Sequence, residues 1–339
     1  MTKNNPIRPK VSFFQRKPRE IGNYSIEFIF KDVRWRLKDL IEANEVHSKF
    51  ESSGVLKRIY NCIEIIGKQG DVNHITGDIN YVGIFLTPKK TIQTIHDCVS
   101  LSRTKGVKHA ILKFFWLTIP VNRSRFITAI SESTKKEILK YSSCNPDKII
   151  VIPVAISDRF QSHKKTFNAD NPRIFQLGTA PNKNIPRLIE ALQNIRCILD
   201  IVGKHEMELE ELLKKYKINY EYKQGLSDDE IIQKYRDADI VSLVSTYEGF
   251  GMPILEGQAI GRPIITSNIS SMPQVAGNGA CLVDPYNIVS IREGITKIIN
   301  DSEYRNDLLC KGFENVKRYD PDKIAIQYYN LYKKVAEGN

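Results

Sequence analysis

Residues 246–263 have the sequence TYEGFGMPILEGQAIGRP, and this stretch indicates the fold class more strongly than any other. It places two carboxylates, Glu248 and Glu256, eight positions apart around glycines and the start of a helix. Gly249 and Gly251 allow a tight turn, and the free amides of the helix start favour a phosphate. A carboxylate beside a phosphate would repel it. The two glutamates are therefore predicted to accept hydrogen bonds from sugar hydroxyls on either side of that phosphate.

This pattern resembles the Glu-x7-Glu signature of the retaining glycosyltransferases of family 4, which have the GT-B fold. The resemblance extends over nearly the whole chain. It implies an α/β protein with two Rossmann-like domains whose parallel sheets face a central cleft. It also implies transfer of a sugar from a nucleotide-sugar to an acceptor hydroxyl, with Glu256 on the nucleotide ribose and Glu248 on the transferred sugar. The residues between them are expected to contact the donor: Gly249, Phe250, Gly251 and Met252.

A second candidate loop, residues 178–184, lies between a predicted strand and a predicted helix. Loops at the carboxyl ends of parallel strands are where α/β folds bind ligands. Lys183 is predicted to act in catalysis by offsetting the charge that grows on a departing diphosphate. The loop is similar to the family's phosphate loop, although Thr179 and Asn182 stand where many members have an arginine, so a second cation stays an open question. Thr179 and the backbone of Leu226 are further expected donor contacts.

Strand ends in the first half supply the remaining candidates. His96 and Asp97 resemble the family's strand-end His-Asp pair, whose histidine touches the donor sugar, so His96 is expected to be catalytic. Asp97 either orients His96 or contacts the acceptor. His74 and Asp78 lie in another predicted strand-end loop and are acceptor-side candidates. Gly22 matches the family's first glycine loop near the donor phosphates, with one glycine where two are usual.

Length and composition fit a folded protein of two domains. The chain has 339 residues, of which 41% are hydrophobic and 26% charged. Short apolar runs, including residues 63–66, alternate with helical patterns and predict parallel sheets covered by helices. The predicted domains are 1–165 on the acceptor side and 166–320 on the nucleotide-sugar side. A final helix within 321–339 is expected to pack back on the first domain.

Targeting and redox features favour the cytoplasm. No apolar run approaches the roughly 20 residues that span a bilayer, and the polar first ten residues predict no signal peptide. The six cysteines are scattered and are interpreted as buried thiols in a reducing compartment. They stand at positions 62, 98, 144, 197, 281 and 310.

Charge is unevenly distributed along the chain. Residues 1–165 contain 29 lysines and arginines but 15 acids, and residues 98–131 contain six cations and no acid. The same stretch carries Phe114, Phe115 and Trp116. It therefore indicates either peripheral contact with an anionic membrane or a solvated helix face whose aromatics lie in the core. Nucleic acid is disfavoured, because no zinc, helix-turn-helix or RNA-binding signature accompanies the charge.

Other chemistries find little support. Asp237 and Asp239 imitate a metal-binding Asp-x-Asp motif, but they end a predicted helix that leads into a buried strand, so we interpret them as structural. No Gly-x-Ser-x-Gly or His-Glu-x-x-His pattern is present. We expect no metal or other cofactor, because Lys183 and helix amides can carry the phosphate charge.

Together these features predict a retaining, metal-independent hexosyltransferase. The resemblance implies that a donor phosphate oxygen accepts the acceptor's proton. The expected setting is synthesis of a surface polysaccharide, lipopolysaccharide or capsule, on a lipid-linked saccharide acceptor at the inner face of the cytoplasmic membrane. The alternatives are a nucleotide-sugar 2-epimerase of the GT-B fold, or a sugar- or nucleic-acid-binding module without turnover.

Overall fold

The structure is a computed structural model that describes residues 8–17, 25–102 and 104–338. Contacts divide these residues into two compact units. The first unit contains the described residues up to Ala155 together with those from Pro321 onward, and the second contains Ile156–Asp320. Gly22 lies outside the described residues.

Strands in the described part of the chain pair in parallel throughout. They are β1 (Lys10–Gln15), β2 (Glu42–His47), β3 (Val72–Ile75), β4 (Thr91–Ile95), β5 (Phe126–Ala129), β6 (Ile149–Val151), β7 (Arg173–Leu177), β8 (Ile198–Val202), β9 (Asn219–Lys223), β10 (Ile240–Leu243), β11 (Ile264–Ser267) and β12 (Cys281–Val283). The sheet of the first unit has the order β2-β1-β3-β4-β5-β6, and that of the second has the order β12-β11-β10-β7-β8-β9.

Helices connect the strands, as parallel pairing requires. They are α1 (Ser25–Arg36), α2 (Val55–Glu64), α3 (Val99–Ser102), α4 (Gly106–Lys113), α5 (Ile119–Asn122), α6 (Glu132–Tyr141), α7 (Ile185–Ala191), α8 (Met207–Lys215), α9 (Asp228–Asp237), α10 (Met252–Ile260), α11 (Met272–Ala276), α12 (Ile288–Asn300), α13 (Ser302–Val316) and α14 (Pro321–Ala336). A 3-10 helix, Asn80–Phe85, and a π-helical turn, Phe114–Thr118, lie between them.

The sheet of the first unit is buried on both faces. Successive residues of a strand point to opposite faces, so β1 supplies two different cores. Phe13 packs with α1 and with Tyr328 and Tyr332 of α14, whereas Phe14 packs with Cys62 of α2 and with Tyr81. The last helix therefore completes a core of the first unit, because its aromatic side chains cover one face of the sheet.

The second unit has one large core between its sheet and the helices α7, α8, α12 and α13. Helix α9 begins with a capping box. The Ser227 hydroxyl accepts the backbone N–H of Glu230, and the Glu230 carboxylate accepts the backbone N–H of Ser227. This helix buries Tyr235 against Phe175 of β7, with ring centroids 4.8 Å apart.

Two sequence-based boundaries need correction. Residues 63–66, predicted as a strand, include the end of α2, because apolar residues recur there at helical rather than alternating spacing. The boundary between the units lies at 155/156 rather than 165/166. The polar stretch after it packs on the second unit, where His163 N–H donates to the Ile260 carbonyl and Asp239 accepts the Asn168 N–H.

Four of the six thiols are buried, whereas Cys144 is half-buried and Cys310 is exposed, so the prediction of buried thiols holds for four. In residues 8–17, 25–102 and 104–338, no helix combines the length and the apolar character needed to cross a bilayer. Asp239 is 4% exposed and accepts backbone N–H groups of Asn168 and Arg173, which supports its interpretation as a structural residue.

Candidate functional site

The glycine loop connects β10 to α10 at the carboxyl end of the second sheet. Gly251 immediately precedes the helix with a φ of 105°, a conformation that L side chains rarely adopt. The dihedral therefore favours glycine, and a Cβ there would also crowd the side chains of Leu243 at 3.3 Å and Ile254 at 3.2 Å. In the first turn of α10, Pro253 has no N–H and the Ile254 N–H donates to the Gly251 carbonyl at 3.0 Å, whereas the Met252 N–H at the helix start can face a ligand.

Serine hydroxyls fix the shape of this loop. The Ser270 hydroxyl donates to the Glu248 carbonyl at 2.7 Å, and the Ser271 hydroxyl lies 2.9 Å from the same oxygen and 2.8 Å from the Phe250 carbonyl. The Ser245 hydroxyl donates to the Glu248 carboxylate at 2.7 Å. Backbone and side chain of Glu248 are therefore both held before any ligand binds, which reduces the entropic cost of binding.

Lys183 comes to this loop from the end of β7. Its Nζ lies 2.7 Å from Oε1 of Glu248, and both side chains are mostly buried. Gly178 makes room for the lysine stem, since a Cβ at that position would lie 3.0 Å from Lys183 Cε. Asn182 donates from Nδ2 to the Tyr247 carbonyl at 3.0 Å, and this bond joins the two loops. The sequence-predicted cation and carboxylate thus form one ion pair.

Glu256 lies on α10 and accepts a hydrogen bond of 2.5 Å from the Tyr235 hydroxyl. Burial raises the pKa of Glu256 to about 7, although this hydrogen bond and the charge of Lys183 both lower it. Burial also raises the pKa of Tyr235 well above its usual value, so the phenol remains a donor. Lys183 therefore acts on both glutamates, through a direct contact with Glu248 and through its field at Glu256.

The other predicted donor contacts of the second unit differ in accessibility. The Thr179 hydroxyl donates to the Lys204 carbonyl at 2.8 Å, and Met252 and Leu226 are half-buried. The side chain of Phe250 packs inward on Tyr319, with ring centroids 5.7 Å apart, and is 5% exposed. Because its ring is buried in the core, Phe250 could contact a donor only through its backbone.

In the first unit, strand ends surround a cavity of about 850 Å³. His96 lines it, and its Nε2 lies 2.9 Å from the Thr76 carbonyl. A carbonyl only accepts, so Nε2 carries a proton, and in the neutral ring Nδ1 keeps a lone pair. Asp97 also lines the cavity and accepts the Val99 N–H through Oδ1 at 3.0 Å. The structure therefore brings the predicted His-Asp pair to a common cavity wall.

Asp78 lines the same cavity and pairs with Arg16, whose guanidinium lies 2.9 Å from Oδ2 of Asp78 and 2.7 Å from Oε1 of Glu27. Lys17 and Arg58 add two further cations to the lining. The sequence analysis missed all three basic residues. Arg16 and Lys17 follow β1 directly, so the strand-end rule that identified His96 could have found them.

His74 is a correction. Its side chain has no exposed surface, and its ring nitrogens lie 2.8 Å from the hydroxyls of Tyr332 and Thr94. Burial lowers the pKa of His74 to about 3, with the nearby His96 and Arg34 as smaller causes. His74 belongs to β3 itself rather than to the loop after it, so its side chain points into the core. An acceptor saccharide cannot reach it there.

Tyr235, Ser245 and Ser270 are further residues of the second-unit site that the sequence analysis did not identify. Their contacts with the two glutamates depend on the tertiary packing of α9, the end of β10 and the loop before α11. No local sequence motif predicts that packing. No group of three or more possible metal ligands (His, Cys, Asp or Glu) is found among the described residues.

A protein-family model matches most of the second unit. Residues 157–313 match the family model described as "Glycosyl transferases group 1". This stretch is therefore similar to a glycosyltransferase group 1 domain. It contains Lys183, Glu248 and Glu256, and it coincides with nearly all of the second unit.

Curated relatives extend the match beyond that domain. The serotype-specific mannosyltransferase WbdA of Escherichia coli is 25% identical over 339 residues, which cover 85% of this chain and 41% of WbdA. The O-antigen chain mannosyltransferase B of the same organism is 25% identical over 234 residues, which cover 63% of this chain and 61% of the relative. The chain thus spans about two fifths of the length of WbdA and about three fifths of the length of mannosyltransferase B.

A solved structure establishes the fold. The Anabaena protein Alr3699/HepE, in complex with UDP and glucose, aligns with a TM-score of 0.77 at 14% identity, over 96% of this chain and all of that one. Such a likeness at low identity concerns architecture alone. The chain therefore has the GT-B fold, with a parallel six-stranded sheet in each α/β unit of its described residues.

Proposed function

We propose that the protein is a retaining glycosyltransferase that transfers a hexose from a nucleotide-sugar to a saccharide acceptor. The observation that carries the proposal is the placement of Lys183 in contact with Glu248 and within the field of Glu256, beside the start of α10. A cation and the N–H at a helix start suit a diphosphate, and the flanking carboxylates suit hydroxyls of ribose and sugar. Mannose is the first sugar to test, since the relatives described above are mannosyltransferases.

Donor binding would redistribute the bonds of the ion pair. The diphosphate competes with Glu248 for the Lys183 ammonium, which has three donors and can serve both. Glu256, held by Tyr235, accepts the ribose hydroxyls, and its ionised form accepts them best. Lys183 then stabilises the leaving diphosphate more strongly as its charge grows, and an interaction that strengthens toward the transition state increases kcat.

The chemical step we propose proceeds with retention and without a metal ion. The acceptor oxygen forms its bond to the anomeric carbon on the face from which the diphosphate leaves. The bond between that carbon and the diphosphate oxygen breaks, and a phosphate oxygen takes the acceptor's proton. His96 is assigned to the donor sugar and Asp97 and Asp78 to the acceptor, because these side chains line the first-unit cavity.

The proposed setting is surface-polysaccharide synthesis at the inner face of the cytoplasmic membrane, on a lipid-linked acceptor. Support comes from the O-antigen relative and from the surplus of cations in residues 1–165. Anionic lipid headgroups attract such a surplus.

Thermal-shift binding with a panel of nucleotide-sugars, followed by turnover of the preferred donor, tests the proposal. Lys183→Ala should reduce kcat by about a hundred-fold or more, the order reported for single oxyanion donors. Lys214→Ala, an exposed lysine of the same unit, is the matched control. Unchanged turnover in the Lys183 variant would refute the mechanism. Conversion of the donor without acceptor would instead indicate an epimerase, and binding without any turnover would indicate a binding module.

A further inference from the structure

Helix α2 exposes an apolar face to solvent. Leu56 is 82% exposed, Val55 71% and Ile63 58%. Ile59 and Tyr60 are also exposed, and these positions recur at the spacing of a single helix face. Large apolar side chains that stand alone on a surface are common, but a contiguous stripe of this kind is typical of an interaction site.

The side of α2 that packs on the protein is smaller and partly polar. Asn61 donates from Nδ2 to the Phe50 carbonyl at 2.8 Å and to the Tyr81 hydroxyl at 3.1 Å, and Cys62 is buried beside Tyr81. The helix therefore turns a polar residue inward and its aliphatic stripe outward. This is the reverse of the pattern that a solvent-exposed helix of a globular protein shows.

Helix α4 and the π-helical turn after it have a second exposed apolar face. Val107 is 76% exposed, Ile111 55%, and Phe114 and Phe115 50% each. Val107, Ile111 and Phe114 are spaced by four and three positions, so they share one face. The sequence analysis left open whether Phe114 and Phe115 lie in the core, and both prove to be solvent-exposed.

The two apolar faces are neighbours, because α2 and the π-helical turn after α4 both pack against the 3-10 helix Asn80–Phe85. The Tyr81 ring contacts the Trp116 ring at a centroid distance of 5.9 Å, and Asn80 donates from Nδ2 to the Trp116 carbonyl at 3.1 Å. Arg58 of α2 and Trp116 both line the cavity of about 850 Å³ that contains His96. We call the exposed residues of α2, α4 and the π-helical turn the α2–α4 surface.

Basic residues accompany this surface. Lys57, Lys105 and Lys108 are exposed, and Lys113 is half-buried beside them. Helix α2 has one acid, Glu64, whose carboxylate is paired with Lys68 at 2.8 Å. A second copy of the chain would bring like charges together here, which is unfavourable. An anionic bilayer offers both an apolar interior for the side chains and negative headgroups for the lysines.

We propose that the α2–α4 surface docks on the headgroup region of an anionic lipid bilayer, with Leu56, Ile63, Ile111 and Phe114 inserted among the acyl chains. The inference rests on the proposed function, because it explains how a lipid-linked acceptor reaches the cavity beside His96. The acceptor's saccharide then enters the cavity from the membrane side while its lipid stays in the bilayer.

Vesicle sedimentation of the full chain tests the proposal, with phosphatidylglycerol-containing vesicles compared with pure phosphatidylcholine. Binding should require the anionic lipid and weaken as salt rises. Leu56→Asp/Ile63→Asp and Ile111→Asp/Phe114→Asp should each lower partitioning by about ten-fold or more. Met207→Asp/Val289→Asp, at exposed positions of the second unit, should leave it unchanged. Lys105→Glu/Lys108→Glu tests the charge contribution without changing any apolar side chain.

Several outcomes would overturn the proposal. They are absence of vesicle binding, equal loss in the control variant, or a wild-type dimer in gel filtration that the helix variants convert to monomers. All variants must first show the wild-type melting temperature. A failure of the proposed function is distinguishable, because Lys183→Ala should keep vesicle binding and the helix variants should keep the thermal shift with nucleotide-sugar.

Discussion

At the residue scale, the ionisation of Glu256 links the site to pH. Its folded pKa of about 7 lies above the ordinary value of 4.5 because burial disfavours the charged form. Above that pKa the carboxylate accepts two hydroxyls, and below it one oxygen carries a proton. Under the proposed function, donor affinity should therefore depend on the proton that Glu256 holds near neutrality.

We expect donor affinity to fall as pH decreases from 8 to 6. If only the carboxylate binds, the dissociation constant should rise about ten-fold over this range, since about a tenth of Glu256 stays ionised at pH 6. Glu256→Gln should remove the dependence, and Glu293→Gln, an exposed glutamate, should preserve it. Calorimetric titration with a nucleotide-sugar at each pH measures the effect. A pH dependence that persists in the Glu256→Gln variant would contradict the assignment.

The same residue has a consequence for stability. A carboxyl whose folded pKa is raised keeps a proton that the unfolded chain releases, so stability declines as pH rises from about 4.5 to 7. Glu256→Gln removes this loss and should therefore be more stable than wild type at pH 8. Buried charges at functional sites commonly have this cost.

At the element scale, β8 carries a buried charge cluster that fastens it to β7, β9 and α9. Asp200 has no exposed surface, and Lys234 Nζ lies 2.7 and 2.8 Å from its two oxygens, with Arg173 at 3.0 Å. Glu221 contacts both cations, and its hydrogen bonds with Arg173 and then Lys234 lower its pKa to about 2. The cluster fixes how these elements align.

Asp200→Asn should destabilise the protein by about 3 kcal/mol, because it leaves two partly buried cations with one exposed partner. Urea unfolding measures the change, and Asp170→Asn, at an exposed position, is the control. Adding Lys234→Met should recover part of the loss, since it removes one unpaired charge. A loss below about 1 kcal/mol in the single variant would show that the cluster contributes little.

Particular elements show how far the sequence predicts structure. The lysine and the two glutamates of the candidate site were found from local patterns, because loops after parallel strands collect at one sheet edge. The inward orientation of the Phe250 ring could not be predicted from the sequence. It is set by packing against Tyr319, which lies far away in the sequence. The strand predicted at 63–66 failed for another reason: the apolar residues of α2 recur at helical spacing, and a run as short as 63–66 does not by itself distinguish a helix end from a strand.

At the scale of the whole molecule, acid sensitivity should arise from the core of the first unit. His74 is neutral when folded, with a pKa of about 3, whereas the unfolded chain binds a proton below about 6.5. The unfolded state therefore holds more protons between these values, and stability falls as pH decreases through that window. Tyr332 of the last helix depends on the same neutral ring for its hydrogen bond.

We expect this histidine to contribute a slope of about 1.4 kcal/mol per pH unit to the unfolding free energy below pH 6.5. His74→Gln should reduce the slope between pH 6 and pH 4 by that amount, whatever its effect on stability at pH 7. His205→Gln, an exposed histidine of the second unit, should leave the slope unchanged. Denaturant titrations at several pH values measure these slopes, and equal slopes for wild type and the His74→Gln variant would refute the account.

The path of the chain has a consequence for biogenesis. The polypeptide enters the second unit at Ile156 and leaves it at Asp320, and the Ile156 N–H donates to the Tyr319 carbonyl at 3.0 Å. Because α14 supplies Tyr328 and Tyr332 to the first unit, that unit lacks part of its core until the ribosome has translated residues beyond 332. The second unit, although translated later, can therefore complete its core first, while the earlier-translated half keeps one face of its sheet uncovered.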